Sequence, residues 1–211
     1  NDEQVLEFGR AICNNLLAAE AACEDQPLPK PDPGPPEHLL APPGLVGDIC
    51  QWINDTALKD QPLLTLGATL AFCGALFGRK VRDQWDNRTN LYVMSVAPSS
   101  AGKDHARKKI KALVEAAYMT EILGGEDVTS DAAIEKRMQD HPVSLFLMDE
   151  IGHLMQSIKH SSVSSPHLAK ILPCLMKLYS SAANTYLGKE YAALERREII
   201  QPCCCLYGTT T

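Results

Sequence analysis

Several features are missing from this 211-residue chain, and each absence closes off a class of protein. No uninterrupted apolar run reaches the ~20 residues that cross a bilayer. The best candidate, Leu63 to Phe77, is broken by Thr65, Gly67, Thr69, Cys73 and Gly74 and reads as a buried helix. Nothing at the N-terminus has the form of a secretory signal, because acids precede the apolar residues between Asn1 and Arg10. The eight cysteines (Cys13, Cys23, Cys50, Cys73, Cys174, Cys203, Cys204 and Cys205) contain no Cys-x-x-Cys pair, and no histidine lies at finger-like spacing. That argues against structural zinc. The consecutive Cys203, Cys204 and Cys205 alternate across an extended strand and cannot close on one metal. They are expected as small core residues in a reducing compartment. There is no positive net charge either: the formal value is −6, so any nucleic-acid contact must come from a local patch or loop.

What is present begins with Leu91-Tyr92-Val93-Met94-Ser95-Val96-Ala97-Pro98-Ser99-Ser100-Ala101-Gly102-Lys103-Asp104. A β-prone run stops in a small-residue loop, reaches Gly-Lys and opens a helix. Loop and helix-start N–H groups can then point at an anion, and the lysine adds a mobile charge. About 45 residues on, Val143 to Met148 is an apolar run that ends in Asp149-Glu150. A run of that kind suits a parallel strand covered on both faces, with its acids at the edge where ligands bind. In a nucleotide motor the first acid holds the Mg²⁺ hydration shell, and the second orients or deprotonates the attacking water.

The rest of the chain frames these motifs. Gln4 to Cys23 carries Val5, Phe8, Ile12, Leu16 and Ala19 at helical spacing, and a proline-rich linker follows over Gln26 to Pro36. Helices are expected after a cap at Asp48, from Pro62 through Phe77, over Asp104 to Leu123 with a Gly124-Gly125 stop, over Ala132 to Asp140, and over Leu168 to Tyr179. Gly78 to Arg82 reads as a basic turn. Gln156 to Pro166, rich in serine, reads as a mobile surface loop, and Leu187 to Glu198 as extended. The last strand, Pro202 to Tyr207, leads into Gly208 and three threonines at the same carboxyl edge. Of the cations after the loop, only Lys103 is placed for phosphate; Arg107, Lys108, Lys109 and Lys111 read as an exposed face. The pattern implies an α/β parallel sheet flanked by helices, with an N-terminal helical extension and an incomplete C-terminal end. The expected organisation is a helix and linker over 1–36, a helical lead-in over 37–90, and a partial core over 91–211. The chain opens on Asn1 and reads as a fragment or processed chain.

Val96 to His105 and Leu147 to Glu150 resemble the P-loop ATPase domain of phage and prophage primase–helicase replication proteins, within the broader RecA-like and AAA+ class. The resemblance covers about Leu91 to Thr211. It implies a helicase-like ATPase that uses ATP and Mg²⁺, acts on single-stranded DNA as a homo-oligomeric ring, and works in the cytoplasm of a bacterial or phage-infected cell, away from membranes. By matching position, Pro98, Ser99, Ser100, Ala101, Gly102, Lys103, Asp104 and His105 form the phosphate loop. Asp149, with Asp104, serves the metal, Glu150 is the base, and Thr209 is the polar sensor.

Two positions depart from that pattern. Ala97 stands for the first glycine, and Asp104 for the hydroxyl residue that normally meets Mg²⁺. No arginine finger is assignable; Arg196 and Arg197 are candidates by charge alone. Two alternatives therefore stay open. One is a degenerate P-loop domain that binds nucleotide weakly or not at all and scaffolds an assembly. The other is a helical interaction protein without nucleotide.

Overall fold

The computed structural model describes residues 34–164, 166–190 and 196–211, without the side chains of 159–164 and 166. The chain divides into two units after Pro35, and the larger, Pro36–Thr211, carries the sheet and its helices. In chain order its main elements are α1 (Leu45–Asp55), α2 (Pro62–Leu76), β1 (Tyr92–Val96), α3 (Lys103–Ala116), α4 (Asp131–Asp140), β2 (Val143–Met148), α5 (Ile151–Ser164), α6 (Ile171–Ser180), β3 (Thr185–Leu187), β4 (Glu198–Ile200) and β5 (Cys203–Thr210).

Alternation along the strands organises the core. β1, β5 and β2 form a parallel sheet with β5 in the middle, while β3 and β4 pair antiparallel. On β2 and β5, Leu145, Leu147, Cys203, Cys205 and Tyr207 turn toward the cluster that includes Ile53, Phe72, Ile110 and Val114 of α1, α2 and α3. Phe146, Met148, Cys204 and Leu206 join the opposite cluster, with Ile134, Met138, Ile171 and Leu178. A strand covered on both faces has no solvent side, and for that reason its sequence reads as an unbroken apolar run. All three consecutive cysteines are buried, two on one face and one on the other, as core residues.

The register aligns the carboxyl ends of the strands: Ser95 lies opposite Thr209, and Met148 opposite Gly208. Two glycines let α5 start hard against that edge. A Cβ on Gly152 would sit 2.3 Å from Thr210 Oγ1, and one on Gly208 would sit 2.6 Å from Ile151 Cδ1. Asp149 and Glu150, one step before α5, are thereby held beside the end of β5.

Several boundaries differ from expectation. α1 begins at Leu45 behind a left-handed Gly44, so Asp48 sits in its first turn rather than at its cap. α3 stops at Ala116, not Leu123. Tyr118 turns left-handed, Thr120–Ile122 forms one 3-10 turn, and Leu123 is extended and pairs with Leu145 as a parallel bridge, so the helix does not run on to Gly124-Gly125. Of the stretch expected as a serine-rich loop, 156–164 is instead the second half of α5. Its apolar residues Ile151, Leu154, Met155 and Ile158 recur at helical spacing and pack on the second cluster, which outweighs the serines. Pro173 falls in the first turn of α6, where its missing N–H costs no helical bond. β5 runs on through Thr210, and Leu187 to Glu198 includes the facing ends of the β3–β4 pair. The helix expected over Gln4 to Cys23 lies outside the described residues. Among the described residues, no helix is long and apolar enough to cross a membrane.

Candidate functional site

The loop between β1 and α3 is built by two left-handed residues. Ser100 has φ 63° and Gly102 has φ 88°, and Gly102 directly precedes the helix. Glycine adopts that conformation freely, whereas serine is strained there. Ala97, the departure from the glycine pattern, is not among the left-handed residues, and its N–H donates to Thr210 O at 3.1 Å. An alanine therefore fits that position without strain. From the lead-in, Lys59 Nζ donates to Ser100 O (3.1 Å) and Gln61 Nε2 to Ala101 O (2.8 Å), so the segment joining α1 and α2 grips the loop backbone. Sequence reasoning missed both residues, and no pattern marks them.

Lys103 opens α3 and is nearly buried. Its Nζ donates to Glu150 Oε1 across the gap between loop and sheet edge. Four residues along the same helix face, Arg107 Nη2 donates to Asp149 Oδ2 at 2.9 Å. Arg107 is 8% exposed, which corrects its reading as part of a solvated face. Helical spacing from Lys103 is the signal that finds it. The second oxygen of Asp149 accepts from Thr209 Oγ1 at 3.2 Å and from the Glu150 N–H at 2.9 Å. Glu150 has φ 45°, a strained conformation for a non-glycine residue, between strand and helix. Lys103, Glu150, Asp149 and Thr209 thus meet in one constellation at the carboxyl edge.

The remaining loop residues divide. Pro98, Ser99 and Ser100 are exposed and Ala101 is half-buried. His105 Nε2 lies 3.1 Å from both Ile53 O and Thr56 Oγ1, which ties it to the lead-in helix. Asp104 keeps its Oδ1 buried with no hydrogen-bond partner. A cleft of about 410 Å³ is lined by Leu58, Lys59, Ser100, Gly102, Lys103 and Asp104, among others. A second, about 730 Å³, is lined by Asp127, Asp149, Glu150, His153 and His167, among others. The basic turn at Gly78 to Arg82 does not reach this site. Gly78 packs on Cys203 at the start of β5, which is the opposite edge of the sheet.

No family model matches the sequence, and no curated protein or solved structure matches it either. Function must therefore be read from the geometry of the site.

Among the described residues, no three His, Cys, Asp or Glu side chains converge as a metal cage. Mg²⁺ in phosphate chemistry asks for less: one or two carboxylates, with waters and phosphate oxygens completing its shell. Asp149, exposed at the second cleft, fits that smaller requirement, and Asp104, its Oδ1 buried without a partner, lines the first cleft. They do not fit a free-standing metal centre.

Proposed function

We propose that this chain is the ATP-binding and ATP-hydrolysing domain of a helicase-like DNA replication or mobile-element protein. The observation that carries the reading is the ion pair between Lys103, at the start of the helix after a left-handed loop, and Glu150, at the end of the acidic strand. The strand between those two motifs in the sheet carries, one residue before its end, Thr209, bonded to Asp149. A loop lysine, paired acids and a hydroxyl on three neighbouring parallel strands suit in-line attack of water on a terminal phosphate.

In this reading Lys103 leaves Glu150 for the phosphate oxygens when a nucleotide binds, since a polyphosphate offers it more negative charge. Glu150, released, accepts a proton from the attacking water. Thr209 and the Glu150 N–H keep Asp149 oriented. Asp149 and Asp104 would be the protein-side oxygens for Mg²⁺, which would supply neutralisation of charge on the phosphates. Single-stranded DNA and a ring of like subunits come into this reading only through the resemblance to phage primase–helicase ATPases.

A second reading, a degenerate P-loop domain that scaffolds an assembly, is favoured by two particulars. Asp104 brings a negative charge to a phosphate site, and Asp149 already holds the guanidinium of Arg107. Calorimetric titration with Mg²⁺-ATP, run beside Lys103→Ala, separates the two. Binding lost in the mutant, with turnover lost in Glu150→Gln, supports the ATPase. Binding without turnover, in the oligomer and with DNA, supports the scaffold.

A further inference from the structure

We propose that Arg107 is a resident counter-cation that keeps divalent metal off Asp149 until a polyphosphate arrives. The inference takes Asp149 as the metal-side carboxylate from the ATPase reading and adds a condition on when it accepts one.

Asp149 has few acceptor positions left to offer. An ionised carboxylate has about four lone-pair directions. Three on Asp149 are used: Oδ2 by Arg107 Nη2 at 2.9 Å, and Oδ1 by Thr209 Oγ1 at 3.2 Å and the Glu150 N–H at 2.9 Å. A metal ion taking the remaining direction sits next to a fixed positive charge. Arginine cannot relieve this by losing a proton, because it stays charged throughout the working pH range. It must be tolerated or displaced.

Displacement without a replacement anion is unfavourable. The Arg107 side chain is 9% exposed, whereas Asp149 is 46% exposed. The cation lies beneath and the carboxylate faces the opening. Arg107 Nε is already buried without an acceptor, so moving Nη2 off Asp149 would strip a guanidinium that is poorly satisfied as it stands. A phosphate oxygen is the ligand group that can take that guanidinium in exchange. The arrangement therefore rejects a free divalent ion and admits it together with a polyphosphate. Lys103 is under the same condition on the same helix face, paired with Glu150 until an anion draws it away.

The test titrates nucleotide-free protein with Mn²⁺ and reads free Mn²⁺ by electron paramagnetic resonance. Arg107→Gln should bind Mn²⁺ at least tenfold more tightly than wild type. Arg107→Lys, which keeps the charge, should stay near wild type, and adding Asp149→Asn to Arg107→Gln should erase the gain. Inorganic tripolyphosphate should narrow the difference between wild type and Arg107→Gln. Metal binding by Arg107→Gln that is unchanged or weaker overturns the proposal, because Arg107 would then merely support Asp149. Should Arg107→Gln fail to fold, ¹⁵N spectra of the wild-type arginine side chains decide. Mg²⁺ with tripolyphosphate should shift the Arg107 Nε resonance, and Mg²⁺ alone should not; the reverse overturns the idea. A wild type that binds no ATP would remove the ATPase reading and leave the Mn²⁺ comparison standing as its own result.

Discussion

Among the clusters that join carboxylates to cations in the described residues, water reaches the two beside the parallel sheet very differently. At the carboxyl edge of the sheet, Glu150 and Asp149 are 39% and 46% exposed while their partners Lys103 and Arg107 lie beneath. Behind the other face, the burial is reversed. Glu135 is 1% exposed and accepts from Tyr186 Oη (2.7 Å) and Arg197 Nη1 (3.2 Å), and Asp131, four residues earlier on α4, accepts from Lys189. The donors come from β3 and from residues flanking β3 and β4, so this cluster fastens the two-stranded unit onto α4. Exposed carboxylates can exchange partners with a ligand at small cost. Buried ones cannot, because a lost partner leaves a desolvated charge. The first cluster is arranged for exchange and the second for holding.

The largest effect should separate them by kind. Glu150→Gln should lower turnover by about a thousandfold or more, on the order of 4 kcal/mol in the barrier, and change unfolding free energy by only about 1–2 kcal/mol, because the glutamine amide oxygen still accepts from the nearly buried Lys103. Glu135→Ala should do the opposite: a stability loss of about 3 kcal/mol or more in urea unfolding, from stranding Arg197 and the Tyr186 hydroxyl. Equal stability losses from the two substitutions would break the distinction.

A smaller effect appears at alkaline pH. Cys174 lies 3.9 Å from Tyr186 Oη at the holding cluster, and burial pushes its thiol up to about 11 despite that contact. Cys204, fully buried in β5, is pushed up to about 12 by the same cause. The unfolded thiols ionise near pH 9, so above it the unfolded state sheds protons that the native state keeps. Their contribution is therefore fully present below pH 9 and declines as pH rises, by about 1.4 kcal/mol per pH unit for each thiol until its native value is passed. Thermal unfolding between pH 8 and pH 11 checks this, and Cys174→Ala should flatten the decline. An unchanged slope would detach Cys174 from it.

The range of each interaction decides how legible it is in the sequence. The acidic strand and the loop are readable because burial on both faces leaves an apolar run, and a helix start leaves Gly-Lys. Arg107 is hidden by composition: among Lys108, Lys109 and Lys111 it looks like one more solvated cation, and only its four-residue offset from Lys103 sets it apart. The holding cluster is invisible. Asp131 and Glu135 look like ordinary helix-surface acids, and their partners lie 51 to 62 residues away, at Tyr186, Lys189 and Arg197. The end of α3 escapes for a related reason: Leu123 leaves the helix to pair with Leu145, a contact that local propensity does not encode.

Thr209 offers the finest test, because it is fully buried yet belongs to the exchanging cluster. Burial alone would class it with Glu135. Its hydroxyl, however, serves an exposed carboxylate, Asp149 Oδ1, which retains the Glu150 N–H if the hydroxyl is removed. Thr209→Val keeps the shape and the β-branched fit of the strand and deletes only that donor. The stability cost should be about 1 kcal/mol, the net value of one neutral donor to a charged acceptor that keeps other partners. Turnover should fall about tenfold at unchanged KM, since Asp149 loses orientation rather than charge, and Thr209→Ser should restore most of it. A stability loss near that of Glu135→Ala, with turnover per folded molecule intact, would move Thr209 to the holding side. The exchanging cluster would then consist of the two ion pairs alone.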